Sequence, residues 1–186
     1  MRANELKNRL ECFPIIAAIR DNRWRQALNS PAEILFYLEA NILTVRDRIR
    51  QAHEAEKIVF VHLDLAEGIG KDRSGIRYLA QLGVDGIIST KAQLIRAAKD
   101  MGLVTVQRFF LLDSKGMESI DETLRSVTPH LVELMPGLIG KAIQRFSVGE
   151  IPVIAGGLIE TKQEVTDALR AGAAAVSTGA DTLWYL

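Results

Sequence analysis

The residues best suited to chemistry lie in two short segments near the C-terminal end of the chain. Gly156-Gly157 follows the apolar run Ile151–Ala155, and Ser177-Thr178-Gly179 closes the run that starts at Ala174. Phosphate needs N–H donors at close range. Glycine allows that approach because no Cβ stands in the way, and a following helix N-terminus adds a favourable dipole. The Ser177 and Thr178 hydroxyls add two further donors, so the two segments together predict a phosphate-binding site. A Gly-Gly after a strand is otherwise only a tight turn.

Other polar residues follow similar apolar runs. Lys91 and Arg108 are suited to contacts with an anionic ligand, or equally to a helix cap and a surface salt bridge. In His62-Leu63-Asp64-Leu65-Ala66-Glu67, alternation along a strand sets His62 and Asp64 on one face. That pair fits ligand hydroxyls or acid–base work, or a satisfied internal hydrogen-bond network. Glu133 precedes Met135-Pro136-Gly137, a rigid turn that would hold a carboxylate over a pocket. No residue is singled out as catalytic. Gly-x-Ser-x-Gly, Walker and dinucleotide motifs do not occur, and His53, His62 and His130 lack metal-ligand spacing. No metal and no cofactor is therefore expected.

The elements that must position these residues are legible as periodicity. Eight short apolar runs, Ile15–Ile19, Ile34–Leu38, Ile58–Leu63, Asp85–Ser89, Leu103–Gln107, Leu131–Met135, Ile151–Ala155 and Ala174–Ser177, recur every ~19–28 residues. They lack polar alternation, as strands covered on both faces must. Between them run amphipathic segments: Thr44–Glu56, Ser74–Gln81, Lys91–Met101, Met117–Val127, Gly140–Phe146 and Lys162–Ala171. Thr90 and Thr161 read as N-caps, the latter in a capping box with Glu164. Gly83, Gly102 and Gly172 read as left-handed helix stops. The pattern predicts one domain over residues 1–186, a small α/β TIM-type (β/α)8 barrel with short loops, whose functional face lies at the C-terminal strand ends. An open doubly wound sheet is the alternative.

Of the 186 residues, 48% are hydrophobic and 25% charged, with a formal net charge of zero. This is the composition of an ordinary globular protein. No apolar run is long enough to span a bilayer, and the first nine residues are polar, without a secretory signal. A cytoplasmic protein without membrane contact is expected. Cys12, the one cysteine, reads as a half-buried residue before the first strand.

Several blocks carry a resemblance. They are Val59–Leu65 (VFVHLDL), Asp85–Lys91 (DGIISTK), Gln107–Ser114 (QRFFLLDS), Val132–Gly137 (VELMPG), Ile151–Leu158 (IPVIAGGL) and Ala175–Thr178 (AVST), with Leu183-Trp184 at the end. From about Pro14 to Trp184 the chain resembles the glycerol uptake operon antiterminator family. The resemblance implies a regulator of barrel fold that responds to glycerol 3-phosphate as effector. It also implies action on the leader mRNA of glycerol-metabolism genes, with RNA binding that promotes read-through of a terminator. The phosphate would sit at Gly156, Gly157, Ser177, Thr178 and Gly179, and Asp64 or Glu133 would serve the glycerol hydroxyls.

A neutral chain has no global attraction to RNA, so contact would need a local basic patch. The candidates are Arg20, Arg23 and Arg25 around Trp24, and Arg46 with Arg50 on one helix face; a solvated helix face is the plainer reading. Trp24 either stacks on a base or packs its helix on the barrel. A different class remains open, a barrel enzyme acting on a small phosphorylated polyol. Turnover separates the two. The short chain also makes a homo-oligomer plausible.

Overall fold

The computed structural model describes residues 3–111 and 113–186. Eight parallel strands close into a barrel in sequence order: β1 Ile15–Ile19, β2 Ile34–Tyr37, β3 Ile58–His62, β4 Gly86–Ser89, β5 Val104–Phe110, β6 Leu131–Met135, β7 Val153–Gly156 and β8 Ala175–Thr178. The helices are α1 Ala3–Cys12, α2 Trp24–Asn29, α3 Val45–Glu54, α4 Arg73–Gln81, α5 Ala92–Asp100, α6 Ser114–Val127, α7 Gly140–Ser147 and α8 Lys162–Arg170. This is the TIM-type (β/α)8 architecture expected from the alternation. No helix among the described residues is long and apolar enough to cross a membrane.

The continuous apolar strands follow from burial on two sides. Alternate residues such as Ile16, Phe36, Phe60, Ile88, Val106 and Ile154 form an inner core. Their neighbours, Ala17, Leu35, Val59, Ile87 and Val132 among them, pack under the helices. Two-sided burial leaves the strands mostly apolar, Thr105 near the start of β5 being a buried exception paired with His130; towards the C-terminal halves the inner layer changes to His62, Arg108, Glu133 and Ser177.

Several local expectations are corrected. In α1, which the sequence did not announce, Leu6 and Leu10, four apart, belong to the inner core and so close the N-terminal end of the barrel. Cys12 at the end of that helix is exposed, not half-buried. Thr90 does not cap α5. The cap position is Lys91, and the Thr90 hydroxyl donates instead to Asp64 Oδ2 at 2.7 Å. β7 starts at Val153, two residues late, after Pro152, which lacks an N–H to enter the ladder. The Thr161–Glu164 capping box is present as expected. The C-terminal segment Asp181–Tyr185 is a 3-10 turn with Trp184 fully buried, its Nε1–H donating to Thr178 O at 2.9 Å.

Candidate functional site

Inward-facing residues at the ends of β1, β5, β6 and β8 line a cavity of about 370 Å³, together with the segments that follow β1, β7 and β8. Its buried polar core is an ion pair: Arg108 Nε donates to Glu133 Oε2 at 2.6 Å, with the side chains 6% and 1% exposed. Ser177 Oγ donates to Glu133 Oε1 at 2.5 Å. Arg108 Nη1 lies 3.4 Å from His62 Nδ1. Guanidinium only donates, so Nδ1 is the acceptor and the ring proton resides on Nε2. Such a pair persists in a buried place because each charge is matched and further hydrogen-bonded.

The glycines act in two different ways. Gly156 is buried, and a Cβ there would stand 2.4 Å from Glu133 Oε1 and 2.6 Å from Ser177 Oγ. Its role is to leave room for the carboxylate and the hydroxyl that binds it. Gly157 reaches the cavity wall with φ +75°. Leu158 beside it also holds a positive φ of 61°, a conformation uncommon for a branched apolar residue. Strained backbone of this kind concentrates at functional sites. Gly137 N donates to Gly156 O at 2.6 Å and Gly157 O at 3.1 Å, which ties the turn after Met135-Pro136 to the end of β7.

The two hydroxyls expected to donate to a phosphate have their protons engaged elsewhere. A carboxylate can only accept, so the Ser177 O–H is directed at Glu133. Thr178 Oγ1 donates to Ile159 O at 2.7 Å and accepts from Ala180 N at 3.0 Å. Sequence reasoning could not see this, because both partners are distant along the chain. The same cavity is lined by Gly157, Leu158 and Gly179, and by Arg20 and Arg23. Arg23 Nη1 is anchored to Gly179 O at 2.6 Å, and Arg20 Nε pairs with Glu39, just after β2, at 2.7 Å.

Asp64 and Lys91 are not part of this cavity. Asp64 Oδ1 accepts from Ser89 Oγ at 2.7 Å, and Oδ2 accepts from Thr90 N and Thr90 Oγ1, each at 2.7 Å. His62 Nε2 stands 3.6 Å from Oδ2. Burial pushes the Asp64 carboxyl up, but His62, the Thr90 N–H and the Ser89 and Thr90 hydroxyls outweigh it and hold it well below the usual carboxylate range. The internal-network alternative therefore describes Asp64. Lys91 is exposed at the start of α5.

The arginines divide as well. Arg20 and Arg23 line the cavity, while Arg25, Arg46 and Arg50 are exposed on α2 and α3. Arg50 Nη2 pairs with Asp47 at 3.0 Å. Trp24 is 1% exposed and packs on Tyr37 at 5.0 Å, so it fixes its helix to the barrel and has no open face for a base. Arg48 lies over Trp24 at 5.2 Å and donates to Asp21 Oδ1 at 2.9 Å. Tyr37 Oη donates to the same Asp21 oxygen at 2.9 Å. Burial, before its hydrogen-bonding and charged neighbours, pushes the Tyr37 phenol up to about 12. Asn22, Met135 and Leu158 also line the cavity and were not singled out in the sequence. For Asn22 the signal was its place just after the first strand.

Residues 15–184 match the model of the glycerol-3-phosphate responsive antiterminator family. The chain is 34% identical over 176 residues to an uncharacterised protein of Escherichia coli, YgcP, covering 93% of this chain and 92% of that one. It is similar to the glycerol uptake operon antiterminator regulatory protein of Listeria monocytogenes, with a TM-score of 0.87, 32% identity, and 92% and 95% of the two chains covered. A glycerol uptake operon antiterminator-related protein of Thermotoga maritima gives a TM-score of 0.83 at 32% identity, over 91% and 96% of the chains. Orotidine 5'-phosphate decarboxylase of Pyrococcus horikoshii shares the fold alone, with a TM-score of 0.66 at 18% identity. With a family match over nearly its whole length, this chain belongs to the glycerol-3-phosphate responsive antiterminators.

Proposed function

We propose that the cavity binds glycerol 3-phosphate and that the liganded protein binds leader mRNA of glycerol-metabolism genes to promote terminator read-through. The observation that carries this reading is the division of the cavity into two chemistries. One part of its lining is Gly157, Leu158 and Gly179 beside Arg20 and Arg23, residues whose backbone N–H groups and guanidinium groups suit a phosphate. Its floor offers Arg108, Glu133 and Ser177, which suit glycerol hydroxyls. Gly156 contributes by making space for Glu133 rather than by contact. The RNA contact is assigned to the exposed Arg25, Arg46 and Arg50.

A physical route connects the two. Arg20 and Arg23 flank Asp21, which holds α3 through Arg48 and β2 through Tyr37. A phosphate that fixes Arg20 and Arg23 fixes that turn, and with it the placement of Arg46 and Arg50 on α3. Ligand binding then favours one arrangement of the basic surface, by as much as its affinity for the two arrangements differs. The test is titration calorimetry with glycerol 3-phosphate, followed by leader-RNA binding with and without it. RNA affinity raised by the ligand supports the reading, and no heat with glycerol 3-phosphate overturns it. Conversion of glycerol 3-phosphate, followed by phosphorus NMR, would point to an enzyme instead.

A further inference from the structure

We infer that the Arg108–Glu133–Ser177 cluster selects the head of the ligand, admitting a neutral polyhydroxyl end and rejecting a carboxylate or carbonyl of the same length. This rests on the cavity being the site of a phosphate compound, and it names the feature that distinguishes one triose phosphate from another.

The argument follows from proton inventory. Each Glu133 oxygen already takes one donor, at 2.6 Å from Arg108 and 2.5 Å from Ser177. Each retains a lone pair and has no proton to offer. Ser177, its O–H directed at Glu133, also meets an incoming group only as an acceptor. The Arg108 guanidinium, engaged through Nε and facing His62 through Nη1, is the cation that matches Glu133. The floor thus combines the acceptors of Glu133 and Ser177 with the remaining N–H donors of Arg108, and its single positive charge is balanced by a single negative one. Hydroxyl groups, which donate and accept, satisfy it. A ligand carboxylate would set a second anion against Glu133 where both are shielded from water and only one guanidinium is present. A ketone in place of a hydroxyl would leave Glu133 facing another acceptor. A phosphate contact is common to all phosphomonoesters, so discrimination among such compounds falls to this floor.

The experiment is calorimetric titration of the wild-type protein with glycerol 3-phosphate, glycerate 3-phosphate, dihydroxyacetone phosphate and inorganic phosphate. Glycerate 3-phosphate is expected to bind on the order of 100-fold more weakly than glycerol 3-phosphate, as like charges at a buried contact require. Dihydroxyacetone phosphate is expected to be weaker by about 10-fold, for its missing donor. Glu133→Gln keeps the shape and an acceptor while removing the charge, and should cut the glycerate discrimination to about 10-fold or less. Equal wild-type affinities for the three carbon compounds, all above that of inorganic phosphate, would overturn the selection and leave the phosphate site intact. If none of them exceeds inorganic phosphate, both readings fall. Undiminished discrimination in a folded Glu133→Gln protein would overturn the role of Glu133. The wild-type series decides the matter even if that variant does not fold.

Discussion

Asp64 at the end of β3 and Glu133 on β6 are carboxylates on the same face of the barrel, each held by a hydroxyl, a cationic or potentially cationic group and a nearby strand. Asp64 accepts three hydrogen bonds from Ser89 and Thr90, which come from the end of the adjacent strand β4. It staples one βα loop to the next and does not line the cavity that Glu133 lines. Glu133 reaches across to β5 for Arg108 and past β7 to β8 for Ser177, and it opens on the cavity. Gly156 of β7 is the reason it can reach that far. Both carboxylates take donors from an adjacent strand, Asp64 from β4 and Glu133 from β5; the difference is that Glu133 also reaches past β7 to Ser177 and lines the cavity.

The largest effect expected from breaking this contrast is at Arg108. Arg108→Met leaves the Glu133 charge buried without its partner and should cost about 3–5 kcal/mol in urea unfolding. A loss of only a few tenths would mean that the pair is not buried as described. Gly156→Ala comes next, because the new methyl must displace Glu133 and Ser177. Overpacking of this kind costs about 1–3 kcal/mol, and glycerol 3-phosphate binding should fall with it.

Asp64→Ala sharpens the comparison from the other side. The unpaired Ser89 and Thr90 donors should cost about 1–3 kcal/mol in unfolding experiments, while calorimetric affinity for glycerol 3-phosphate stays within about 3-fold of wild type. A collapse of affinity would place Asp64 in the ligand's path after all. Acid provides a related test. The folded state holds Asp64 below its ordinary value of about 3.9, so at intermediate acidity the unfolded chain binds the proton first. Its contribution is complete above that value and is lost as pH falls through it towards the folded value. The urea midpoints of wild type and Asp64→Asn should therefore converge as pH drops below about 4. The smallest effect is expected on α3. Arg46→Ala with Arg50→Ala should change stability by no more than about 0.5 kcal/mol, yet weaken leader-RNA binding and its salt dependence.

Much of the fold was legible because its signals are local. A strand buried on both faces is apolar along most of its length, and a capping box needs only Thr161 and Glu164 three residues apart. The strands accordingly lie within a few residues of where the apolar runs place them, the longest discrepancy being β5, which continues to Phe110. The cavity was legible in outline for a related reason. In a barrel the strand ends converge, so Gly157, Gly179, Arg108 and Glu133 had to approach one another.

Which groups remain available to a ligand was decided by tertiary structure alone. Ser177 reads as a phosphate donor until its O–H is found donating to Glu133, 44 residues away. Thr178 reads likewise until its O–H is found donating to Ile159 O, 19 residues away. Gly156 reads as a phosphate glycine until the space beside it proves to hold a carboxylate. Trp24 and Arg48 become one packed unit only when α3 folds against α2. Periodicity and composition determined where the backbone goes, since they record burial residue by residue. The destination of each proton and the occupant of each gap depend on side chains from strands far apart in sequence, and only closure of the barrel brings those together.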